Sequence, residues 1–304
     1  MKKVSVFVLI VISVLLLVSC ELSGTAPSKG TLHVVAMGDN FNHIPTLRLT
    51  TCENDATAVC QVFEYWGKKA GMKTDIHNCN RTCVQGLISA LDEVYGVATE
   101  DDLTVIFLST HGDNQITDPV PYSESNTDKA VFVLENPKED DQGYEPWAFH
   151  MDELETVAEA IPGKVLVIAD LCFSGAFIHQ DNYTYNNKNF TDSSAIKLFL
   201  DGTPATDSNK NFYLTACTYY DIAMPGDNYG IPLSLFTWYL LKSLGMVGFE
   251  TSRQKVAISE DVPVLKNDMI ILSDIHNYIY TATSSIQTPQ MNTGVQDLIL
   301  FNLK

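Results

Sequence analysis

A histidine and a cysteine each follow a short apolar segment of the chain, and together they could carry out acyl transfer. His111 and Gly112 come directly after the segment 103–110, and Cys172 follows the segment 164–171. Ligands of open parallel sheets bind beyond the carboxyl ends of the strands, so two neighbouring strands of this kind would place an imidazole and a thiol at one edge. Such a pair is typical of a cysteine nucleophile with its base.

The residues around this pair fit peptide hydrolysis through a thioester. We expect the imidazole to lower the pKa of the thiol, and the N–H groups of Cys172 and Gly112 to donate to the developing oxyanion. Glycine at 112 would leave no side chain in the path of an approaching carbonyl. No carboxylate is evident as a third member, and a backbone carbonyl can orient His111 instead. Either residue alone is more often structural, but their joint position at two strand ends favours catalysis.

Strands and helices alternate along the chain in the way that is typical of βα units around a parallel sheet. The hydrophobic pattern predicts strands at 32–37, 73–77, 103–109, 164–169, 211–216 and 298–302. It predicts helices at 53–69, 82–95, 151–160, 234–244 and 273–283. The segment 113–147 has little helical periodicity and contains a small hairpin around 130–134. The polar segment 180–210 predicts an exposed connector.

The amino-terminal residues predict export and attachment to a membrane through a lipid. Two lysines precede an uncharged apolar run, 4–18, which is shorter than the ~20 residues that span a bilayer. The motif Leu17-Val-Ser-Cys20 resembles a bacterial lipobox, which implies cleavage before Cys20 and acylation of this residue. We therefore expect a lipoprotein signal peptide at 1–19, a tether at 20–30 and a lipid-anchored protein in the bacterial cell envelope. An ordinary signal peptide or an uncleaved helix is the alternative.

Charge and cysteine content restrict the partners. The formal net charge is −18 at pH 7, and removal of the two signal lysines makes it more negative, so nucleic acid is a poor partner. Export permits disulfides, and Cys79 and Cys83 could pair, but connectivity cannot be deduced from the sequence. The cysteine and histidine spacings do not match a zinc site, so we predict no metal ligands.

The ordered series of motifs resembles the caspase–metacaspase superfamily of cysteine endopeptidases. The strand–His–Gly and strand–Asp–x–Cys–x–Ser–Gly motifs are similar to those of bacterial and metacaspase members, and the resemblance covers about residues 31–304. Further similar segments lie at 49–56, 214–217, 230–244 and 288–290. The resemblance implies a three-layer α/β/α fold with a mostly parallel central sheet of about six strands. It also implies that His111 is the general base and Cys172 the nucleophile.

The same resemblance implies that no cofactor is required. Some metacaspases need calcium, which keeps calcium possible here. The acidic segment 139–141 is the candidate for binding calcium. Its spacing does not match an EF-hand, which favours a solvated loop.

Substrate specificity can be inferred from the residue two positions before Cys172. Asp170 projects to the same face of its strand as Cys172, and a carboxylate there could bind a substrate Arg or Lys. In metacaspases the Asp at this position helps to bind a basic P1 residue. Asp55 is a second candidate, with a helix N-terminal carboxylate as the alternative, and Asp221 is a weaker one. The segment 215–241 lacks the arginine with which caspases hold a P1 aspartate. We therefore predict cleavage after Arg or Lys.

Two functions remain open at this stage. The first is a peptidase that acts on peptide or protein substrates, and the second is a catalytically inactive surface module that binds a peptide or ligand at the same edge. The presence of both His111 and Cys172 favours the peptidase. A nucleotide-binding domain is disfavoured because the loop after the first strand contains only Gly38, without a GxGxxG or P-loop pattern.

Overall fold

The structure of the chain is a computed structural model, and it describes residues 29–113, 130–138, 143–178, 210–292 and 297–304. Four sequence-based predictions lie outside these residues: the signal peptide, the lipidated Cys20, the acidic segment 139–141 and all but the last residue of the connector 180–210. None of the helices in the described ranges is long and apolar enough to cross a membrane.

The described residues form thirteen strands and five α-helices. The strands are β1 (Thr31–Gly38), β2 (Lys73–Asn78), β3 (Leu103–Ser109), β4 (His111–Asp113), β5 (Val131–Pro137), β6 (Tyr144–His150), β7 (Lys164–Asp170), β8 (Asn211–Thr215), β9 (Met246–Glu250), β10 (Lys255–Ile258), β11 (Met269–Ile271), β12 (Gln290–Met291) and β13 (Ile299–Asn302). The helices are α1 (Cys52–Lys69), α2 (Cys83–Val97), α3 (Met151–Ala160), α4 (Leu235–Ser243) and α5 (Leu272–Thr283). Every predicted helix is present, with its ends shifted by at most two residues.

The central sheet has six strands in the order β12-β8-β7-β3-β1-β2. Its five longer strands are parallel, and the short β12 is antiparallel to β8. All seven residues of β3 are buried, which is why its sequence is apolar without alternation, as expected for a parallel strand covered on both faces. The predicted α/β class with a mostly parallel sheet of about six strands is confirmed.

Helices cover both faces of this sheet and create two cores. Alternate residues of a strand point to opposite faces, so Val34 contributes to one core and Val35 to the other. The first core contains the buried residues of α1, α4 and α5, including Phe236. The second contains those of α2 and α3, including Leu91 and Leu154. Each large apolar side chain buried in this way contributes roughly 1.5–3 kcal/mol, and the result is a three-layer α/β/α architecture.

A smaller antiparallel sheet, β4-β5-β6, stands at the carboxyl edge of the central sheet. Its β5–β6 hairpin corresponds to the hairpin predicted around 130–134, but the two strands extend further, to His150. Strand β4 begins with His111, which pairs in register with Val133. The small sheet therefore holds the backbone of the candidate base.

Short strands are where the structure departs from the prediction. The segment 298–302 was predicted as a last strand, and β13 lies within it but pairs with β11 as a separate ribbon outside the central sheet. The sixth strand of the sheet is the two-residue β12, and the β9–β10 hairpin was not predicted. Elements of two to five residues have too few positions for a periodic pattern, and their pairing depends on tertiary contacts.

The two ends of the described chain meet at the amino edge of the sheet. The Lys29 ammonium donates hydrogen bonds to the carbonyl oxygens of Asn302 and Lys304, at 3.2 and 2.8 Å. Lys29 lies two residues before β1, so this contact joins the start of the first strand to the end of the last one.

Candidate active site

The strands β3 and β7 are neighbours and end at the same level. Ser109 and Asp170 face each other in register at the last step of the ladder, and His111 and Cys172 each follow two residues later. Parallel strands lie ~4.8 Å apart, so the imidazole and the thiol leave the sheet from adjacent backbones. The structure thus brings together the two residues predicted to be the base and the nucleophile.

Gly112 packs directly against the backbone of Cys172. A Cβ atom at position 112 would lie 2.0 Å from the Cys172 carbonyl oxygen and 2.7 Å from a methyl carbon of Leu171. Glycine is therefore required so that the two turns can approach each other, which differs from the open path for substrate that we expected. Its role as an oxyanion donor stays a prediction.

The ring of His111 is fixed by a carbonyl oxygen and an aromatic side chain. Its Nε2 lies 2.7 Å from the carbonyl oxygen of Leu47, and the Phe41 ring lies 5.0 Å from it, centroid to centroid. Because a carbonyl oxygen can only accept, Nε2 carries a proton, and in the neutral tautomer with this contact Nδ1 is the nitrogen with the lone pair. This carbonyl is the backbone partner that the sequence left unidentified.

Cys172 begins a tight turn with an unusual backbone. Phe173 has a φ of 60°, in the left-handed region that non-glycine residues rarely adopt. Its N–H donates to the Asp221 carbonyl at 2.9 Å, and a 3₁₀ turn follows at Ser174–Phe177. Such strain, of order 1 kcal/mol or more, persists only where the surroundings fix it, and it clusters at functional sites.

The thiol of Cys172 is neutral at rest. Burial raises the pKa of Cys172 above its ordinary value, and the charges of Asp170 and Asp221 act in the same direction, while the N–H of Ala223 opposes them. This differs from the expectation that the site lowers the pKa of the thiol. A thiolate at Cys172 would therefore have to form by proton transfer to a base.

Asp170 and Asp55 form a pair of buried carboxyl groups; the exposed fractions are 4% and 0%. Asp170 accepts hydrogen bonds from the Thr237 N–H and hydroxyl, at 3.1 and 2.6 Å. Asp55 accepts from the Ser109 hydroxyl at 2.8 Å, the Ser234 N–H at 2.8 Å and the Ser234 hydroxyl at 2.6 Å. Two of these donors are backbone groups at the start of α4, whose dipole favours negative charge there.

The carboxyl pair retains negative charge at neutral pH without a cation of its own. Burial raises the pKa of Asp170 to about 6. Burial and the nearby charge of Asp170 raise the pKa of Asp55 well above its usual range. Among the residues that the structure describes, no Lys or Arg pairs with either group, and Oδ1 of Asp170 receives no hydrogen bond. A buried acidic pair of this kind fits a cationic ligand.

Asp55 does not cap its own helix. Although it lies in the first turn of α1, its side chain reaches Ser109 of β3 and Ser234 before α4. The alternative of a simple helix N-terminal carboxylate therefore does not describe its contacts. Asp221, the weaker candidate, is half-buried beside Cys172 and acts on the thiol through its charge.

Sequence reasoning missed several residues that complete this site. Leu47 acts through its carbonyl oxygen, which leaves no mark in the sequence. Ser234 and Thr237 follow the pattern of a helix start, where Ser and Thr usually serve their own helix, and this masked their contacts with the carboxyl pair. Tyr220 and Ile222 are 59% and 52% exposed, so the segment that contains Ala223 presents apolar surface to solvent.

Comparison with known proteins finds similarity in solved structures alone. No protein-family model and no curated protein matches the chain. One similar structure is protein GSU0716 from Geobacter sulfurreducens, at 15% identity and a TM-score of 0.48, covering 88% of this chain and 94% of that chain. Another is caspase-1 from Spodoptera frugiperda, at 10% identity and a TM-score of 0.48, covering 90% of each chain. At these identities, a function has to be argued from the residues of this chain.

The remaining cysteines and acidic residues add no further site to the described residues. All six cysteines there are free thiols, so the disulfide considered for Cys79 and Cys83 is not formed. Within the same ranges, no group of three or more His, Cys, Asp or Glu side chains is arranged to hold a metal ion.

Proposed function

We propose that this protein is a cysteine endopeptidase that cleaves after Arg or Lys, with Cys172 as the nucleophile and His111 as the general base. The observation that supports this most directly is that β3 and β7 end side by side, with Ser109 and Asp170 in register. The hydrogen bond from Nε2 of His111 to the Leu47 carbonyl oxygen adds to it. That bond leaves Nδ1 as the basic nitrogen of the ring, and the backbone of the adjoining Gly112 packs against that of Cys172. The sequence resemblance to the caspase–metacaspase superfamily points to the same chemistry.

The reaction would begin with transfer of the Cys172 proton to Nδ1 of His111. The thiolate attacks the scissile carbonyl carbon, and the imidazolium then gives its proton to the leaving amine, so that a thioester remains. Water hydrolyses the thioester by the same proton path in reverse. The N–H groups of Gly112 and Cys172 would donate to the oxyanion in both steps. The raised pKa of Cys172 is compatible with this order of events, because the proton leaves only when substrate is attacked.

The carboxyl pair would determine the preference for a basic P1 residue. A guanidinium or ammonium group that reaches Asp170 and Asp55 would find a buried negative charge. It would also find Oδ1 of Asp170, which accepts no hydrogen bond from the residues that the structure describes. Charge-assisted hydrogen bonds in such surroundings are about twice as strong as neutral ones. A P1 aspartate would instead be repelled by the negative charge, since no Lys or Arg of the described ranges pairs with either carboxyl group.

We further propose that the protein is exported and held in the bacterial cell envelope by a lipid on Cys20. This rests on the lipobox-like motif and the preceding apolar run. Labelling with radioactive palmitate tests it: wild type should be labelled and Cys20→Ala should not. An unlabelled wild type would contradict the proposal.

The peptidase is tested with fluorogenic peptides that end in Arg, Lys or Asp, with and without calcium. We expect hydrolysis after Arg or Lys, no activity in Cys172→Ala, and a strong loss in His111→Ala. Absence of thiol-dependent hydrolysis under all conditions would overturn the peptidase. Retained peptide binding in that case would favour the alternative of an inactive binding module. Hydrolysis after Asp would overturn the assignment of the carboxyl pair.

A further inference from the structure

The loop between β1 and α1 holds both groups that touch the ring of His111. We call residues 39–51 the orienting loop; it contains Phe41, which packs on the imidazole, and Leu47, whose carbonyl binds Nε2. Its regular structure is limited to one short 3₁₀ turn at Pro45–Leu47. A loop of this kind positions a catalytic ring only if something outside the loop fixes it.

Glu135 of β5 fixes the middle of the orienting loop. Its Oε1 accepts hydrogen bonds from the N–H groups of His43 and Ile44, at 2.7 and 3.0 Å, and its Oε2 lies 2.9 Å from Nδ1 of His43. The Glu135 side chain is buried, and the His43 ring stacks on Tyr144 at 3.9 Å. A buried carboxylate that binds two backbone N–H groups is held strongly in one place.

The backbone of Glu135 is tied to the start of the same loop. Asp39 accepts a hydrogen bond from the Glu135 N–H at 2.6 Å through Oδ2, and one from the Phe41 N–H at 2.8 Å through Oδ1. Two residues before Glu135 on the same strand, Val133 pairs in register with His111. Strand β5 is therefore the common frame for the backbone of His111 and for the loop that orients its ring.

We infer that Glu135 is a positioning residue that sets the orientation and tautomer of His111 through the orienting loop. Its influence passes from the His43 and Ile44 N–H groups to the Leu47 carbonyl, three residues further along the chain. The inference about catalysis rests on the proposed function of His111, but the inference about the ring does not. Two charged groups lie nearby, and Nε of Arg81 binds Oε2 of Glu53 at 2.7 Å. Arg81 is therefore paired with Glu53 and not with Glu135, whose oxygens bind the orienting loop.

Three substitutions separate shape from charge at this position. Glu135→Gln keeps an oxygen that can accept from both N–H groups, Glu135→Asp keeps the charge but is one methylene too short, and Glu135→Ala removes the acceptor. The matched control is Glu145→Ala, which removes a carboxylate from the paired strand β6, opposite Asn136. Circular dichroism and thermal unfolding establish that each variant is folded.

The ring is observed directly by two-dimensional ¹H–¹⁵N spectra of the full chain labelled with ¹⁵N-histidine, with His111→Ala used to assign the signals. In the wild type and in Glu135→Gln we expect Nε2 of His111 to be protonated and Nδ1 to be unprotonated. In Glu135→Asp and Glu135→Ala we expect mixed tautomers. In hydrolysis of an Arg-terminated fluorogenic peptide, we expect kcat to fall on the order of 100-fold in these two variants, with KM little changed, because misplacement of a catalytic group costs about this much.

The outcomes separate this inference from the proposed function. Mixed tautomers in Glu135→Asp, without peptidase activity in any variant or in the wild type, would support the positioning role and reject the peptidase. An unchanged His111 spectrum and unchanged kcat in folded Glu135→Asp and Glu135→Ala would overturn the positioning role and leave the peptidase intact. An equal loss in Glu145→Ala would also overturn it, because the effect would then belong to the hairpin as a whole. If Glu135→Ala does not fold, the difference between Glu135→Gln and Glu135→Asp in the His111 spectrum and in kcat tests the positioning role.

Discussion

Replacing Asp170 by Asn should stabilise the folded protein at neutral pH while removing its proposed activity. Burial raises the pKa of Asp170 from 3.8 to about 6, and each pKa unit corresponds to about 1.4 kcal/mol. The ionised carboxylate therefore costs the folded state about 3 kcal/mol at neutral pH. Asn removes this charge and keeps an oxygen that can accept both hydrogen bonds from Thr237.

The direction of the pH dependence follows from the raised pKa. Between the unfolded value near 4 and the folded value of about 6, the folded state binds more protons than the unfolded state, so acidification stabilises the wild type. Asp170→Asn should lack this contribution, and its advantage in free energy of unfolding should shrink as the pH falls from 7.5 to 4.5. Hydrolysis after Arg should fall on the order of 100-fold or more, because a buried charged partner of the substrate is lost.

Urea unfolding at pH 7.5, 6 and 4.5, followed by tryptophan fluorescence, measures the first effect, and kcat/KM for an Arg-terminated peptide measures the second. The control is Asp92→Asn on the exposed surface of α2, where removal of a charge should change the free energy of unfolding by less than about 0.5 kcal/mol. An Asp170→Asn variant no more stable than the wild type at pH 7.5 would contradict this prediction. The same pH dependence in the two proteins would also contradict it.

Three further predictions concern Gly112, Cys172 and Asp102. Gly112→Ala should reduce kcat/KM on the order of 100-fold, because its Cβ would meet the Cys172 carbonyl at 2.0 Å; an active variant would show that the turns can separate without cost. The rate of inactivation by iodoacetamide should keep rising with pH above the ordinary pKa of a thiol, since burial raises the pKa of Cys172. A rate that stays constant between pH 6 and 8 would instead indicate a preformed thiolate. Burial alone raises the pKa of Asp102, but hydrogen bonds from Thr31 and Thr99 outweigh it and lower the pKa overall. The stability that Asp102 contributes is thus present above the ordinary carboxyl pKa and lost as the pH falls through the folded value. Asp102→Asn should destabilise by about 1–3 kcal/mol at pH 7 and approach the wild type in acid, as thermal unfolding at both pH values would measure.

Long elements and strand ends could be predicted from the sequence because each carries its own pattern. Strand β3 was predicted with its observed bounds, since seven consecutive buried residues leave an apolar run with polar neighbours. The positions of His111 and Cys172 followed from the ends of two such runs. The pairing of β13 with β11 did not follow, because pairing is a tertiary property that the apolar pattern of either segment does not encode.

The surroundings of the site could be predicted only where a side chain signals its role. The sequence pointed to Asp170 and Asp55, but their degree of burial, which sets their pKa values, depends on packing against Ser234 and Thr237. The sequence suggested that the thiol is activated at rest, whereas burial keeps it protonated. A desolvation effect of this kind depends on three-dimensional surroundings, and it can reverse what the nearest residue type implies.

The contact between Lys29 and the end of β13 fixes the point at which a chain anchored through Cys20, as proposed, would enter the described fold. Lys29 lies at the amino edge of the central sheet, whereas Cys172 lies beyond the carboxyl end of β7, a strand of seven residues, roughly 23 Å away at ~3.3 Å per residue. The chain from a lipidated Cys20 would therefore enter the described fold on the side opposite to the thiol. If the domain stands on that side, the candidate site would face soluble polypeptides and not the lipid surface.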